Sequence, residues 1–144
     1  MLKFSLDDYA EVVGEDIIAD LFRKARRLYG KHILHINSTY QGGGVAELLN
    51  TMIPLMNDLG VDTGWRILHG NPDFFSITKK FHNGILGQEI NLSEIKKQIY
   101  LQTNEEFSKF THLNHDIVIV HDPQPLPLIK FYQKKEPWLW RCHI

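Results

Sequence analysis

The sequence predicts an open α/β fold, a Rossmann-like parallel sheet with helices on both faces. Three observations support this prediction. Strand-like and helix-like segments alternate along the chain. Residues 116–120 are almost continuously aliphatic, which is typical of an inner strand covered on both faces. Residues 31–59 form a strand, a glycine loop and a helical pattern in that order, the unit from which such sheets are built.

The first thirty residues predict a helical extension that precedes the sheet. Residues 5–8 are typical of a helix start, and apolar side chains follow at helical spacing from Val12 to Phe22. We expect one amphipathic helix that stops at Tyr29-Gly30. The basic residues in 23–27 complement a helix C-terminus, and an anion site is the alternative.

Residues 31–144 predict the Rossmann-like domain itself. Strands are predicted at 31–36, 63–69, 116–120 and 138–144, and helices at 45–59, 74–81, 92–110 and 126–135. Residues 82–84 and Gly87 are expected to separate two of these helices. Because the chain ends on the fourth strand with no helix to cover it, we expect a truncated domain.

Composition excludes several classes of function. Sixteen basic and seventeen acidic side chains leave a net charge of -1 in 144 residues, which argues against a nucleic-acid partner. Cys142 is the only cysteine, so no disulfide forms within the chain and a reducing compartment is favoured. No apolar run has membrane-spanning length, and the acidic N-terminus does not match a signal peptide. We therefore expect a soluble cytoplasmic protein without a membrane partner.

A glycine loop follows the first strand, at the edge where open parallel sheets bind ligands. Gly42, Gly43 and Gly44 stand directly before a predicted helix. Glycines let a ligand approach the backbone closely, and the free N–H groups of a helix start attract anions. The spacing fits neither the dinucleotide fingerprint nor a phosphate loop. A phosphate, diphosphate or sugar is expected here, and a tight turn alone is the alternative.

Polar residues also follow the third and fourth strands. His121, Asp122 and Gln124 come directly after the aliphatic strand, although Asp122 could serve only as the cap of the next helix. Arg141 and His143 alternate with Cys142, so they share one face of a strand that we expect to be buried. A ligand, a carboxylate or a backbone group could be their partner, and a structural salt bridge is the alternative to a ligand site.

Other reactive residue types form no recognisable motif. The eight histidines have no metal-ligand spacing, so we expect no metal. Cys142 has no adjacent base and is not expected to be a nucleophile. Trp138 and Trp140 are expected to be core residues, and a platform for a sugar ring is the alternative.

Four segments taken together resemble one family. Residues 36–47, 79–83, 120–125 and 138–144 are similar to the N-terminal domain of the trehalose glycosyltransferring synthases, and to the related retaining trehalose phosphorylases. These enzymes belong to the fourth glycosyltransferase family, which has the GT-B fold of two Rossmann-like domains. The resemblance runs from about residue 8 to the end and implies that this chain is the N-terminal half of such a fold.

The resemblance implies a retaining, reversible transfer between NDP-glucose and glucose that makes trehalose. The partners it implies are glucose or trehalose, with the nucleotide sugar held mainly by a C-terminal donor domain that this sequence lacks. No cofactor is expected beyond this donor substrate, and a homodimer is one possible assembly. Trehalose phosphorylase activity and a stand-alone sugar-binding or anion-binding module are the alternatives.

The resemblance also implies roles for single residues. It places His143 at the donor sugar and Arg141 in the cleft as catalytic residues, and residues 42–44 against the donor phosphate. His121, Asp122 and Gln124 are expected to contact acceptor hydroxyls. His82 and Asn83 are further acceptor-side candidates. The family's usual mechanism is same-face attack without a protein nucleophile, in which the leaving diphosphate accepts the proton.

Overall fold

The sheet has four parallel strands. A computed structural model of the protein describes residues 5–133 and 136–143. The strands are β1 (His32–Asn37), β2 (Asp62–Ile67), β3 (Ile117–His121) and β4 (Trp138–Arg141), in the order β2-β1-β3-β4. All neighbouring pairs are parallel, which confirms the predicted α/β class and the inner position of β3.

Helices occupy both faces of this sheet. They are α1 (Leu6–Val13), α2 (Glu15–Ala25), α3 (Gly44–Asp58), α4 (Pro72–Ile85), α5 (Glu94–Phe110) and α6 (Leu128–Phe131). A short 3-10 helix covers Arg26–Leu28. Within the described ranges, no helix is both long enough and apolar enough to cross a membrane.

Alternation along β1 and β3 divides the core between the two faces. One face carries Leu34, Ile36, Val118 and Val120, which pack with residues of α4, α5 and α6. The opposite face carries Ile33, Ile117 and Ile119, which lie in a second cluster with residues of α1, α2 and α3. The N-terminal helices therefore pack on the sheet, and the domain boundary at residue 30 stays a prediction.

The predicted N-terminal helix is two helices rather than one. Ser5 caps the first of them in a capping box with Asp8, as the sequence predicts. Gly14 then ends α1 and also precedes α2. Glycine is a poor helix former, so the chain breaks here although the apolar pattern continues through it.

Three predicted boundaries near the site are wrong. His82 and Asn83 lie inside α4, which continues through Gly84. The helix expected at 126–135 has only four residues, 128–131, and Lys134 and Lys135 lie outside the described residues. β4 ends at Arg141 and its last three side chains are exposed, because none of the described helices covers this part of the edge strand. Ile144 lies outside the described residues.

Candidate functional site

A pocket lies at the edge of the sheet where β1 and β3 end. Its volume is about 390 Å³, and its wall comes from the end of β1, the glycine loop, the start of α3, His82, Asp122, Gln124 and His143. Two other depressions are slightly larger, at about 430 and 450 Å³. The pocket at the strand ends is the candidate site because polar groups from several elements converge there.

The structure brings most of the predicted site residues together. Those in the pocket wall are Gly42, Gly43, Gly44, His82, Asp122, Gln124 and His143. His121 is buried behind His143 and contacts it directly. Asn83 and Arg141 do not line the pocket. Arg141 is exposed, and no carboxylate in the described parts of the chain forms a salt bridge with it.

The glycine loop presents backbone N–H groups to the pocket. Gly43 is the N-cap of α3 and no side chain caps this helix, so the N–H groups of residues 44–46 have no acceptor within it. These residues line the pocket. Unpaired N–H groups at the positive end of a helix attract an anion or a polarised oxygen.

The glycines of this loop have different structural requirements. Gly42 and Gly43 have φ angles of +75° and +92°, in the left-handed region that side chains with a Cβ rarely adopt. Gly44 has no positive φ, and a Cβ added there would meet no atom within 4 Å. The turn therefore needs glycine at 42 and 43 but not at 44, where only a ligand's approach would require it.

Asn37 supports the start of the loop from the end of β1. It is buried, and its Nδ2 donates to the carbonyl of Thr39 at 2.7 Å. Its Oδ1 accepts from the indole Nε1 of Trp65 on β2, also at 2.7 Å. Sequence reasoning did not single out Asn37, because the predicted strand ends at residue 36 and the structure extends β1 by one residue.

Three histidines form a hydrogen-bonded chain that leads from the core to the pocket. His35 Nδ1 lies 2.9 Å from His121 Nε2, and His121 Nδ1 lies 2.9 Å from His143 Nε2. Consecutive rings are stacked, with centroids 5.2 Å apart in both pairs. His35 and His121 are both 2% exposed. His143 is half-buried and reaches the pocket wall.

The parallel register explains this arrangement. His35 is paired with Ile119, two residues before His121, and His121 is paired with Arg141, two residues before His143. Side chains two residues apart on a strand share a face, so the three rings step diagonally across neighbouring strands. Sequence reasoning missed His35. The three rings become neighbours only through the register between the strands, and a single sequence does not show that register.

Burial keeps the inner rings of this chain uncharged. It lowers the pKa of His35 to about 4. The pKa of His121 is also lowered to about 4, first by burial and then by electrostatic repulsion between its protonated form and His35, His143 and Arg141. At neutral pH these rings are therefore neutral, and each has one N–H donor and one acceptor nitrogen.

Asp122 holds the segment after β4 in place. Its Oδ1 accepts from the backbone N–H of His143 at 2.8 Å, and its own N–H donates to the carbonyl of Arg141 at 2.9 Å. Its carbonyl accepts from Trp140 Nε1. The alternative role as a helix cap is wrong, because α6 begins at Leu128 without a side-chain cap.

Helix α5 supports the loop after β3 from the other face of the sheet. The hydroxyl of Tyr100 donates to the carbonyl of Pro123, and the fully buried Asn104 donates from Nδ2 to the carbonyl of Gln124 at 3.0 Å. Burial raises the pKa of Tyr100, so its hydroxyl keeps the proton it donates. The backbone of residues 123–124 is thus fixed by buried donors.

The remaining reactive residues have structural surroundings. Burial and the negative charge of Asp122 raise the pKa of the Cys142 thiol, which disfavours a nucleophilic thiolate. Trp138 packs against the core, as predicted, but Trp140 is 49% exposed, so its core prediction is wrong. Across residues 5–133 and 136–143, no group of three or more His, Cys, Asp or Glu is arranged to hold a metal ion.

Comparison with protein families matches residues 35–144 to the family described as trehalose synthase, N-terminal domain. The chain belongs to this family. It is 47% identical to a trehalose synthase of Pyrococcus horikoshii over 99% of its length, and 38% identical to one of Rubrobacter xylanophilus over 97%. It is also 29% identical to a trehalose phosphorylase of Pleurotus pulmonarius over 96% of its length. These matches confirm the resemblance that the four segments indicate.

The chain spans only part of the length of these relatives. It covers 35% of each of the two synthases and 21% of the phosphorylase. Its pocket contains backbone N–H donors, two imidazoles, a carboxylate and two side-chain amides. Such a set of donors and acceptors suits the hydroxyl and phosphate oxygens of a small polar ligand.

Proposed function

We propose that the chain is the acceptor-side, N-terminal domain of a retaining GT-B glucosyltransferase that makes trehalose reversibly from NDP-glucose and glucose. One observation supports this most strongly. In a chain that is 47% identical to a trehalose synthase, the glycine loop and His143 line the same pocket at the strand ends. An anion-attracting helix start and a polar side chain for sugar hydroxyls are the two features such a transfer needs at one place.

Each part of the pocket has a role in this proposal. The free N–H groups at the start of α3 interact with a phosphate oxygen of the donor, which reaches the pocket from the C-terminal domain. His143 hydrogen-bonds the donor sugar near the reacting carbon. Gln124 and the carboxylate of Asp122 contact hydroxyls of the acceptor, with His82 of α4 at the same wall. Arg141 orders the cleft from its exposed position beside β3.

The reaction needs no protein nucleophile. The bond between the anomeric carbon and the diphosphate oxygen breaks, and a bond from that carbon to the anomeric oxygen of glucose forms on the same face. The proton of the attacking hydroxyl passes to the departing diphosphate. The protein contributes position and electrostatic stabilisation of the developing charge, rather than covalent chemistry.

The proposal is tested by assaying the protein encoded by the complete reading frame. We expect trehalose from glucose and at least one NDP-glucose, and trehalose cleavage that depends on a nucleoside diphosphate. Absence of turnover with every nucleotide would contradict the proposal. Calorimetry on the 144-residue chain alone adds a second comparison, because tight sugar binding without a donor domain would favour a stand-alone binding module.

Trehalose phosphorylase is the second candidate. It is favoured by the 29% identity to the Pleurotus pulmonarius enzyme over 96% of the chain. The higher identity to the synthases places it second. Trehalose cleavage that requires inorganic phosphate and proceeds without nucleoside diphosphate would establish it instead.

A further inference from the structure

The histidine chain has a constraint that follows from counting protons. A neutral imidazole carries one N–H and one lone pair, so His121 can donate to only one of its two neighbours. With one proton on each ring, the three histidines have two arrangements that satisfy both hydrogen bonds. Either all three carry the proton on Nδ1 and donate toward the pocket, or all three carry it on Nε2 and donate toward the core.

The buried end of the chain selects between these arrangements. His35 Nε2 is buried and has no hydrogen-bond partner among the described residues. Donation toward the core would leave a buried N–H without an acceptor at this atom. Donation toward the pocket leaves only an unpaired lone pair, the less costly of the two defects. The remaining N–H is then Nδ1–H of His143, at the pocket end.

In a third arrangement the central ring, His121, is charged, but its surroundings disfavour a positive charge. An imidazolium at His121 would donate to both neighbours, but the ring is 2% exposed. The charged and titratable groups that influence it are His35, His143 and Arg141, and none of them supplies a negative charge. The nearby carboxylate of Asp122 already accepts from the backbone N–H of His143.

We infer that His35 is a positioning residue that holds His143 in the Nδ1–H form, so that the pocket presents an N–H donor to a hydroxyl or phosphate oxygen of the ligand. The tautomer belongs to the free protein, and only the ligand's identity rests on the proposed function. Because His35 Nε2 has no partner in residues 5–133 and 136–143, the row of three histidines does not continue inward as a path for protons. It sets the direction of a hydrogen bond and selects a ligand atom that can accept one.

The test is a long-range ¹H–¹⁵N correlation spectrum of the protein labelled at its histidines, recorded at pH 7. This spectrum distinguishes the two neutral tautomers from each other and from the imidazolium. We expect the Nδ1–H form for His35, His121 and His143, with signals assigned by His143→Gln. An exposed histidine side chain in water prefers the Nε2–H form, so the expected result differs from that of an unconstrained ring. Nε2–H rings or a charged ring in this chain would overturn the inference.

Two substitutions test the role of His35 itself. His35→Phe keeps a ring but removes the donor to His121, so His143 should lose its single Nδ1–H form. His35→Asn instead places an amide donor near the position of Nδ1, so His143 should keep its Nδ1–H form in this variant. His32→Phe, at an exposed histidine of the same strand, is the matched control and should leave the His143 signal unchanged. A His143 signal that stays in the Nδ1–H form in a folded His35→Phe protein would overturn the inference. If that variant does not fold, the tautomers in the wild-type spectrum decide the question.

Failure of the proposed function gives a different result. Trehalose added to the protein encoded by the complete reading frame should shift the Nδ1–H signal of His143. If the Nδ1–H pattern is present but neither trehalose nor NDP-glucose shifts it, the proposed function fails while the positioning role of His35 stands.

Discussion

The Asp122 carboxylate accepts a 2.8 Å hydrogen bond from the backbone N–H of His143. A residue after β3 thus fixes the chain beyond β4 and holds the His143 ring against His121 and the pocket. A backbone hydrogen bond from the N–H of Asp122 to the carbonyl of Arg141 extends the pairing of β3 and β4 by one residue. The geometry at the strand ends therefore depends on one side chain that bridges two strands.

Asp122→Ala should destabilise the fold by about 2 kcal/mol, because it removes this acceptor and leaves alanine in a left-handed conformation. The φ angle of Asp122 is +64°. Asp122→Asn keeps an acceptor oxygen and a residue that tolerates this conformation, so it should cost less than about 1 kcal/mol. Urea unfolding measures both variants. An alanine variant as stable as the asparagine variant would show that the hydrogen bond from His143 N–H to the Asp122 side chain does not stabilise the fold.

Gly43→Ala should destabilise the fold, whereas Gly44→Ala should not. At Gly43 the φ of +92° makes alanine cost about 1–2 kcal/mol. At Gly44, inside α3 and with free space around its Cβ position, alanine should be neutral or stabilise by up to about 1 kcal/mol. Thermal unfolding of the two variants measures this difference. If the backbone contacts the ligand, Gly44→Ala should still weaken NDP-glucose binding, whereas unchanged affinity would favour the tight-turn alternative.

The free energy of unfolding should fall as the pH is lowered from 7 to 5. The pKa values of His35 and His121 are about 4 in the folded protein, below that of an unfolded histidine near 6.5. Unfolded chains therefore bind more protons in this window. The stability due to these rings is present above pH 6.5 and is lost as the pH falls toward 4, by roughly 2 kcal/mol for each ring at pH 5. Denaturant unfolding at both pH values measures the loss.

His35→Asn is the control for this pH dependence, because it removes one of the buried titrating rings. The variant should show a smaller difference in unfolding free energy between pH 7 and pH 5. An equal difference in the wild type and the variant would mean that other groups cause the acid sensitivity.

Tyr100→Phe should lower the free energy of unfolding by about 1 kcal/mol, because the buried carbonyl of Pro123 loses its donor. Tyr29→Phe is a matched control at an exposed tyrosine and should change stability by less than about 0.5 kcal/mol. Chemical denaturation of both variants tests the contribution of the hydrogen bond from Tyr100 to Pro123. Equal stability of the two variants would show that α5 does not fix the loop after β3 through this bond.

Much of the sheet follows from residue pattern alone. The aliphatic run ending at Val120 predicts an inner strand, and β3 is one. Predictions fail where local pattern competes with packing. Gly84 resembles a helix break, yet α4 continues through it, and a Cβ there would lie 2.8 Å from the side chain of Ile90. Glycine at this position reflects close packing, which only the tertiary structure reveals.

The candidate site is partly visible in the sequence. Polar residues after buried strands predict that the glycine loop, Asp122 and His143 converge, because parallel strands end at one edge. The role of His35 depends on its lateral pairing with Ile119, and strand register cannot be obtained from a single sequence. For Arg141, alternation predicts the face it shares with His143 but not its exposure, which follows from the uncovered edge of β4.

The most direct measurement of the central claim is the turnover number for trehalose formation by the protein encoded by the complete reading frame, compared with its His143→Ala variant. We expect the His143→Ala variant to lose about 10²-fold in turnover, because removal of one hydrogen-bond donor from an active site typically lowers the rate by this factor. The thermal unfolding midpoint should change little, and His32→Ala should retain full activity. Turnover within twofold of the wild type in a folded His143→Ala variant would contradict the account.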